Sequence, residues 1–276
     1  MSSIIDKGDY MERKSTRVIR VGNRLIGGDN PITVQSMTNT VTSDIDKTVA
    51  QIIRLEDAGC DIIRVAISNF DDANAIQEIK KNINIPMIAD IQYDYQLALE
   101  SIKYGIDGLR INPGNIGNSD RVKEIVNACK EKDISIRIGV NSGSIKKEFL
   151  EKFSGVNEDS LVYSALEQIK LLEDLDFHEI KVSLKASNVP LTINSYKKMS
   201  EVCDYPLHLG VTEAGPGMKG TVKSSVGIGT LLAMGIGDTI RISLTGDPVE
   251  EIKVGREILK SLNLLNEGIE LISCPT

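Results

Sequence analysis

From residue 33 onward, short β-branched runs alternate with stretches whose apolar residues recur every three or four positions. Period two marks a strand and period 3.6 an amphipathic helix. Thr33-Val-Gln-Ser36 is the first strand, and Ile45, Val49, Ile52 and Leu55 keep helical spacing behind it. Ser43 is placed to cap that helix with Asp46 three residues on, and Gly59 to stop it. The same rhythm predicts strands at 61–67, 86–91, 107–112, 134–140, 179–185, 206–211 and 238–243. It predicts helices at 71–81, 94–105, 119–131, 159–175, 191–203, 222–234 and 249–262, with a long polar loop after residue 140. Before all this, Thr16-Arg-Val-Ile-Arg-Val21 and Arg24-Leu-Ile26 flank Gly22-Asn23, a two-residue hairpin signal.

Strict strand–helix alternation requires a parallel sheet, and eight units make a closed (β/α)8 TIM barrel. An open doubly wound sheet is the alternative. The expected organisation is a loose arm over 1–15, a barrel over 16–265 with the hairpin across its N-terminal mouth, and a further segment over 266–276. Aromatic residues are only 4% of the chain, with no Trp, so the core is expected to be aliphatic, as in sheets buried on both faces.

One feature breaks the apolar strand pattern. Asp61-Ile-Ile-Arg-Val65, Asp107-Gly-Leu-Arg-Ile111, Asp133-Ile-Ser-Ile-Arg-Ile138 and Asp238-Thr-Ile-Arg-Ile-Ser243 each carry an arginine, and Ile180-Lys-Val-Ser-Leu-Lys185 ends in lysine. Residues two apart on a strand share a face. That groups Arg110 with Asn112, Arg137 with Gly139 and Asn141, Ser183 with Lys185, and Arg241 with Ser243. Arg64 shares its face with Ile62 and Ala66. Asp61 and Arg64 are three apart, hence on opposite faces, as are Asp107 and Arg110, and Asp238 and Arg241. In those three runs the strand-opening aspartate does not face its arginine, so each arginine either pairs with a carboxylate elsewhere in a structural network or awaits an anionic ligand. A net charge of −7 and a pI near 5.1 argue against nucleic acid, so the cations are a local feature. Burying unpaired cations costs several kcal/mol each. An anionic ligand with two phosphates or a diphosphate is the natural compensation, since arginine forks suit phosphate oxygens.

The glycine-rich stretches Asn112-Pro-Gly-Asn-Ile-Gly117 and Gly215-Pro-Gly-Met-Lys-Gly220 follow strands four and seven as expected loops that let backbone N–H groups approach an oxyanion. Glu213, just past strand seven, is a candidate general acid or base, and Asp90 ends strand three. His208, within strand seven, is either a satisfied core residue or part of the binding set. With two histidines in all, a histidine-built metal site is not expected. Cys60, Cys129 and Cys203 fall near helix ends as core filler, and four dispersed cysteines fit reduced thiols in a cytoplasm. No apolar run is long enough for a membrane helix.

The motifs together resemble a known family, 4-hydroxy-3-methylbut-2-enyl diphosphate synthase of the non-mevalonate isoprenoid pathway. They include Val34-Gln-Ser-Met-Thr-Asn-Thr40, Gly59-Cys-Asp-Ile-Ile-Arg-Val65, Gly108-Leu-Arg-Ile-Asn-Pro-Gly-Asn115 and Ile138-Gly-Val-Asn-Ser-Gly143. His208-Leu-Gly-Val-Thr-Glu-Ala-Gly215, Gly220-Thr-Val-Lys-Ser-Ser225, the run from Gly237 to Val249 and Ile272-Ser-Cys-Pro-Thr276 continue the match. The resemblance implies a TIM barrel binding 2-C-methyl-D-erythritol 2,4-cyclodiphosphate. A separate domain carries a [4Fe–4S] cluster on three cysteines and a glutamate, and in the family homodimer it closes over the partner's barrel. Two electrons from ferredoxin or flavodoxin open the ring and remove a hydroxyl as water.

On this resemblance Arg64, Arg110, Asn112, Arg137, Asn141, Lys185, Arg241 and Ser243 bind the substrate. Ser183 and His208 complete the candidate binding set. Glu213 is the acid/base group and Cys274 the first cluster ligand. Gln92 stands where the family usually has histidine, and a glutamine cannot shuttle protons near neutrality. One cysteine cannot hold a cubane, so the barrel alone is expected to bind substrate without turning it over, with 266–276 opening a linker toward the cluster domain. The alternatives are another phosphate-binding barrel such as a pterin synthase-like transferase, or a non-catalytic diphosphate-binding barrel.

Overall fold

The computed structural model describes residues 12–117 and 119–265. Eight strands run parallel: β3 (Thr33–Met37), β4 (Ile62–Ala66), β5 (Met87–Asp90), β6 (Gly108–Ile111), β7 (Ser135–Asn141), β8 (Ile180–Lys185), β9 (His208–Leu209) and β10 (Thr239–Ile240). Their order, β8-β7-β6-β5-β4-β3-β10-β9, places β8 and β9 at the two ends of the list. A bridge between Val182 and Leu207 closes the ring there, with the Val182 N–H donating to Pro206 O at 2.9 Å. Ahead of them, β1 (Ile19–Val21) and β2 (Arg24–Ile26) form the expected antiparallel hairpin.

Outward-facing strand residues such as Val34, Ile63, Val65, Leu109, Ile136, Val182 and Ile240 pack under the helices in one continuous aliphatic core. Those helices are α1 (Ile45–Asp57), α2 (Phe70–Lys81), α3 (Tyr95–Lys103), α5 (Ser119–Lys132), α7 (Glu158–Glu173), α8 (Val189–Val202), α9 (Gly217–Ala233) and α10 (Pro248–Ser261). Two short ones, α4 (Pro113–Ile116) and α6 (Lys147–Lys152), follow β6 and β7. A second, separate cluster joins Ile19, Val21 and Ile26 of the hairpin to Ile62 and Ile88 inside the barrel. The hairpin thus plugs the N-terminal end with apolar side chains, each worth roughly 1.5–3 kcal/mol on burial.

The strand-opening aspartates work at that same end. Asp61 accepts the Val34 N–H, Asp107 the Met87 N–H and Asp238 the Leu207 N–H, each at 2.8 Å. Each aspartate also meets a cation from outside the barrel: Arg24 at 3.6 Å, Lys80 at 2.6 Å and Arg13 at 3.1 Å. The repeated aspartate is therefore a backbone cap for the neighbouring strand, and none of the three touches a strand arginine.

Several local expectations are corrected. Asp44, not Ser43, caps α1, accepting the Lys47 N–H. The polar loop after β7 contains α6, and Asn112 opens α4 by accepting the Gly114 N–H at 3.1 Å. The second glycine stretch is helical from Gly217, five residues earlier than its periodicity predicts. Gly220 lies so close to Gly215 O that a Cβ would sit 2.2 Å from it, so this glycine permits tight helix entry rather than an open loop. β9 and β10 shrink to two residues each, leaving Arg241 and Ser243 beyond the ladder, although the Arg241 N–H still donates to Leu209 O at 2.9 Å.

Candidate functional site

The inward face of the barrel departs from the packed branched layers usual for this architecture. Above the Ile62 and Ile88 plug it carries Gln35, Arg64, Asp90, Arg110, Arg137, Lys181, Ser183, Lys185, His208 and Arg241. Strand parity decides this, because each lies an even number of positions from another inward residue on its strand.

Asp90 organises one side. Arg110 Nη1 donates to its Oδ1 at 3.1 Å and Arg64 Nη1 stands 3.5 Å from its Oδ2. Burial pushes the Asp90 carboxyl up, but Arg64, Arg110 and Arg137 outweigh it and hold the group below the usual range. Arg64 is 7% exposed, its Nη2 contacts Met37 Sδ at 2.9 Å, and its Nε has no partner. Burial first, with Arg241 and Arg110 adding repulsion, brings it down to about 10 despite Asp90. On the other side, Arg241 Nη2 lies 3.9 Å from Glu251 Oε2. Glu251 reaches in from α10 and also accepts the Ser36 hydroxyl at 3.2 Å and the Leu244 N–H at 3.0 Å.

Between these sides two cations lack a carboxylate. Arg137 is 2% exposed, and its Nε and Nη1 make no hydrogen bond. Burial, reinforced by Arg64 and Arg110, holds its guanidinium well below the ordinary value. Lys185, 8% exposed, forms no ion pair among the described residues, and burial followed by Arg137, Arg241, Arg64 and Arg110 depresses its ammonium strongly. Glycines make room for this crowding. A Cβ at Gly139 would meet Arg110 Nε at 2.9 Å, and one at Gly210 would meet Lys185 Nζ at 3.1 Å. Guanidiniums packed this closely with so few counter-charges have the chemistry to suit an anionic partner.

The predicted residues distribute as follows. Arg64, Arg110, Arg137, Lys185 and Arg241 converge inside the barrel. Arg137 sits deeper than its expected place near a strand end, because β7 runs on to Asn141. Asn112 and Asn141 line a cleft of about 310 Å³ with Arg110, Gln92, Tyr93, Asn115 and Gly143. Ser183 donates to Ile138 O at 3.3 Å, and Ser243 follows Arg241 past β10. His208 is fully buried, its Nδ1 3.4 Å from Thr239 Oγ1; burial and the cations Arg137, Lys185 and Lys181 keep its imidazole neutral. Glu213 is exposed beyond β9 with a left-handed φ of +52°, a conformation costly for a residue with a Cβ. Asp90 acts as an ion-pair hub. Sequence reasoning missed Glu251, which looks like an ordinary first-turn helix acid, and Lys181, whose parity with Ser183 and Lys185 was the available signal.

The described residues do not fit an iron–sulfur cluster. Among them no group of three or more His, Cys, Asp or Glu side chains could hold a metal. Burial raises the Cys60 thiol to about 12 and the Cys203 thiol to about 11, and pushes Cys129 up as well. Cys274 lies outside the described residues. Among those residues no helix is long and apolar enough to cross a membrane.

Residues 16–256 match the model of the GcpE TIM-barrel domain. A Caldanaerobacter subterraneus protein named 4-hydroxy-3-methylbut-2-en-1-yl diphosphate synthase (flavodoxin) is 61% identical over 264 residues, 96% of this chain and 74% of that protein. Its namesake in Fusobacterium nucleatum is 60% identical over 266 residues, 96% of this chain and 75% of its own length. Solved structures agree on the fold alone. A Yersinia pestis dihydropteroate synthase superposes with TM-score 0.64 at 10% identity, covering 90% of this chain and 98% of its own. A Clostridium difficile type I 3-dehydroquinate dehydratase does so with TM-score 0.64 at 15% identity, covering 92% and 100%. The pterin-synthase alternative thus shares the architecture, while the high sequence identity lies with the diphosphate synthases. The chain belongs to the 4-hydroxy-3-methylbut-2-en-1-yl diphosphate synthase family, whose TIM-barrel domain it matches.

Proposed function

We propose that residues 16–265 form the substrate-binding domain of an oxidoreductase of isoprenoid biosynthesis. The enzyme converts 2-C-methyl-D-erythritol 2,4-cyclodiphosphate to 4-hydroxy-3-methylbut-2-enyl diphosphate. The carrying observation is the charge imbalance inside the barrel, where, among the described residues, Arg64, Arg110, Arg137, Arg241 and Lys185 face the two carboxylates Asp90 and Glu251. Asp90 fixes the forks of Arg64 and Arg110, Glu251 steadies Arg241, and Arg137 and Lys185 are left without a carboxylate for the ligand to meet. The phosphates complete the ion pairs that the protein leaves open.

In this reading Asn112, Asn141, Ser183, His208 and Ser243 shape the carbon skeleton's berth, and Glu213 handles a proton at the mouth. Reduction needs two electrons, and a [4Fe–4S] cluster supplies them when bound. In this reading its ligands lie outside the described residues, with Cys274 the first. Flavodoxin, named for the relatives, is the donor we propose, and a homodimer brings cluster and barrel together.

The test is thermal. The cyclic diphosphate is expected to raise the melting temperature of this chain by several degrees at 100 times Kd. Neutral 2-C-methyl-D-erythritol is expected to leave it unchanged. Coincident melting curves with and without the diphosphate would sink the reading.

A further inference from the structure

Beneath the anion receptor lies a cation that substrate binding leaves unexplained. Lys181 sits two positions before Ser183 on the inward face of β8 and is 1% exposed. In the β7–β8 register it stands directly opposite Arg137. Its Nζ makes no hydrogen bond, and neither do Nε and Nη1 of Arg137. The surrounding elements offer little compensation. β9 contributes the neutral His208, and β3 contributes Gln35 and Thr33, whose side-chain polar atoms are also unpartnered. Asp238, before β10, is already engaged with the Leu207 N–H, Thr16 and Arg13. Toward the mouth lie Lys185, Arg64, Arg110 and Arg241, with Asp90 and Glu251 committed to the arginines.

Two like charges facing each other across one strand pair repel, and low local dielectric strengthens the repulsion. One must give way. A guanidinium holds its proton in any protein setting, whereas a buried ammonium releases it readily. Burial first, and Arg137 second, bring the Lys181 ammonium down to about 7. An anion seated on Arg137 reverses the local field and favours the charged amine again.

We propose that docking of a phosphate-class anion on Arg137 is coupled to uptake of a proton from solvent at Lys181 Nζ. The amine gains one proton and no other bond changes. Lys181 is thus a positioning residue, setting the charge that the receptor presents through Arg137. The inference rests on the anion-site reading above, but only on the class of ligand.

Calorimetric titration at pH 8, in two buffers of different ionisation enthalpy, measures the uptake directly. The probes are the cyclic diphosphate and, separately, inorganic pyrophosphate. About one proton per ligand is expected from Lys181 at pH 8, fading toward zero by pH 6, where the amine is already charged. Lys185 contributes any uptake of its own, so the variants isolate the Lys181 share. Lys181→Met cannot take a proton and Lys181→Arg already carries one, so each is expected to lower the uptake by about one while still binding the anion. Two variants guard against one failing to fold. Buffer-independent heats in the parent chain, or uptake unchanged in the variants, would overturn the proposal. Uptake with pyrophosphate but no binding of the cyclic diphosphate would remove the assigned substrate and leave the proton coupling standing. Binding of neither would remove both.

Discussion

The two ends of the barrel treat one sequence repeat in opposite ways. At the N-terminal end the aspartate of each Asp-x-x-Arg run caps a neighbouring strand and meets an outside cation. Three residues further along, the arginine turns inward, where Arg64 and Arg241 each keep an unpartnered Nε; Arg137, four residues after Asp133, forms no ion pair among the described residues. The floor is satisfied and apolar, built for stability. The upper interior is polar and under-compensated, and it holds charge in reserve for a ligand. A residue's contribution to folding and its contribution to binding should therefore have opposite signs at the two ends.

The strongest challenge to that contrast is Arg137→Met. Removing an uncompensated buried cation should weaken binding of the cyclic diphosphate by on the order of 100-fold or more and should not lower the melting temperature. Calorimetry and thermal unfolding on one preparation check both halves, and a large loss of stability would erase the distinction.

Next in size is a pH effect at Lys181. Its ammonium titrates at an ordinary 10.5 in the unfolded chain and at about 7 in the barrel. Between those values the unfolded chain binds more protons, so stability rises with pH across the window. The cost is present in full below about 7 and is gone above about 10.5. Lys181→Met should stabilise the chain at pH 7 by roughly 2–4 kcal/mol, with the gain shrinking toward pH 10, as denaturant midpoints at several pH values would record.

Smallest is the reverse case at the floor. Asp107→Ala strands the Met87 N–H and Lys80, and should cost about 1–3 kcal/mol. Affinity for the diphosphate should stay within twofold, and a marked loss of affinity would mean that the two ends are coupled.

Much of this division was legible in the chain. The eight-unit rhythm announces the barrel, Gly22-Asn23 the hairpin, and parity separates Asp61, Asp107 and Asp238 from their arginines. What stayed hidden depends on neighbours distant in sequence. Arg64 and Arg110 share Asp90 because β4, β5 and β6 lie side by side, and that requires the register between strands. Glu251 pairs with Arg241 because the first turn of α10 overhangs the mouth, whereas its own segment marks it only as an acid favourable to a helix N-terminus. The depth of Arg137 follows from how far β7 continues beyond it. The early start of α9 depends on the contact of Gly220 with Gly215, to which no periodicity is sensitive.

Seven strand pairs in the ring are hydrogen-bonded ladders. The eighth, between β8 and β9, has one isolated bridge. There a tyrosine from α8 spans the gap: Tyr196 accepts the Leu184 N–H at 3.0 Å and donates to His208 O. A single phenol thus completes backbone pairing that elsewhere takes a run of amides. The circle consequently has a clasp. Lys185 and His208 hang on either side of it, so the cationic interior is framed by the one joint of the ring that a single bridge and a phenol, rather than a ladder, hold shut.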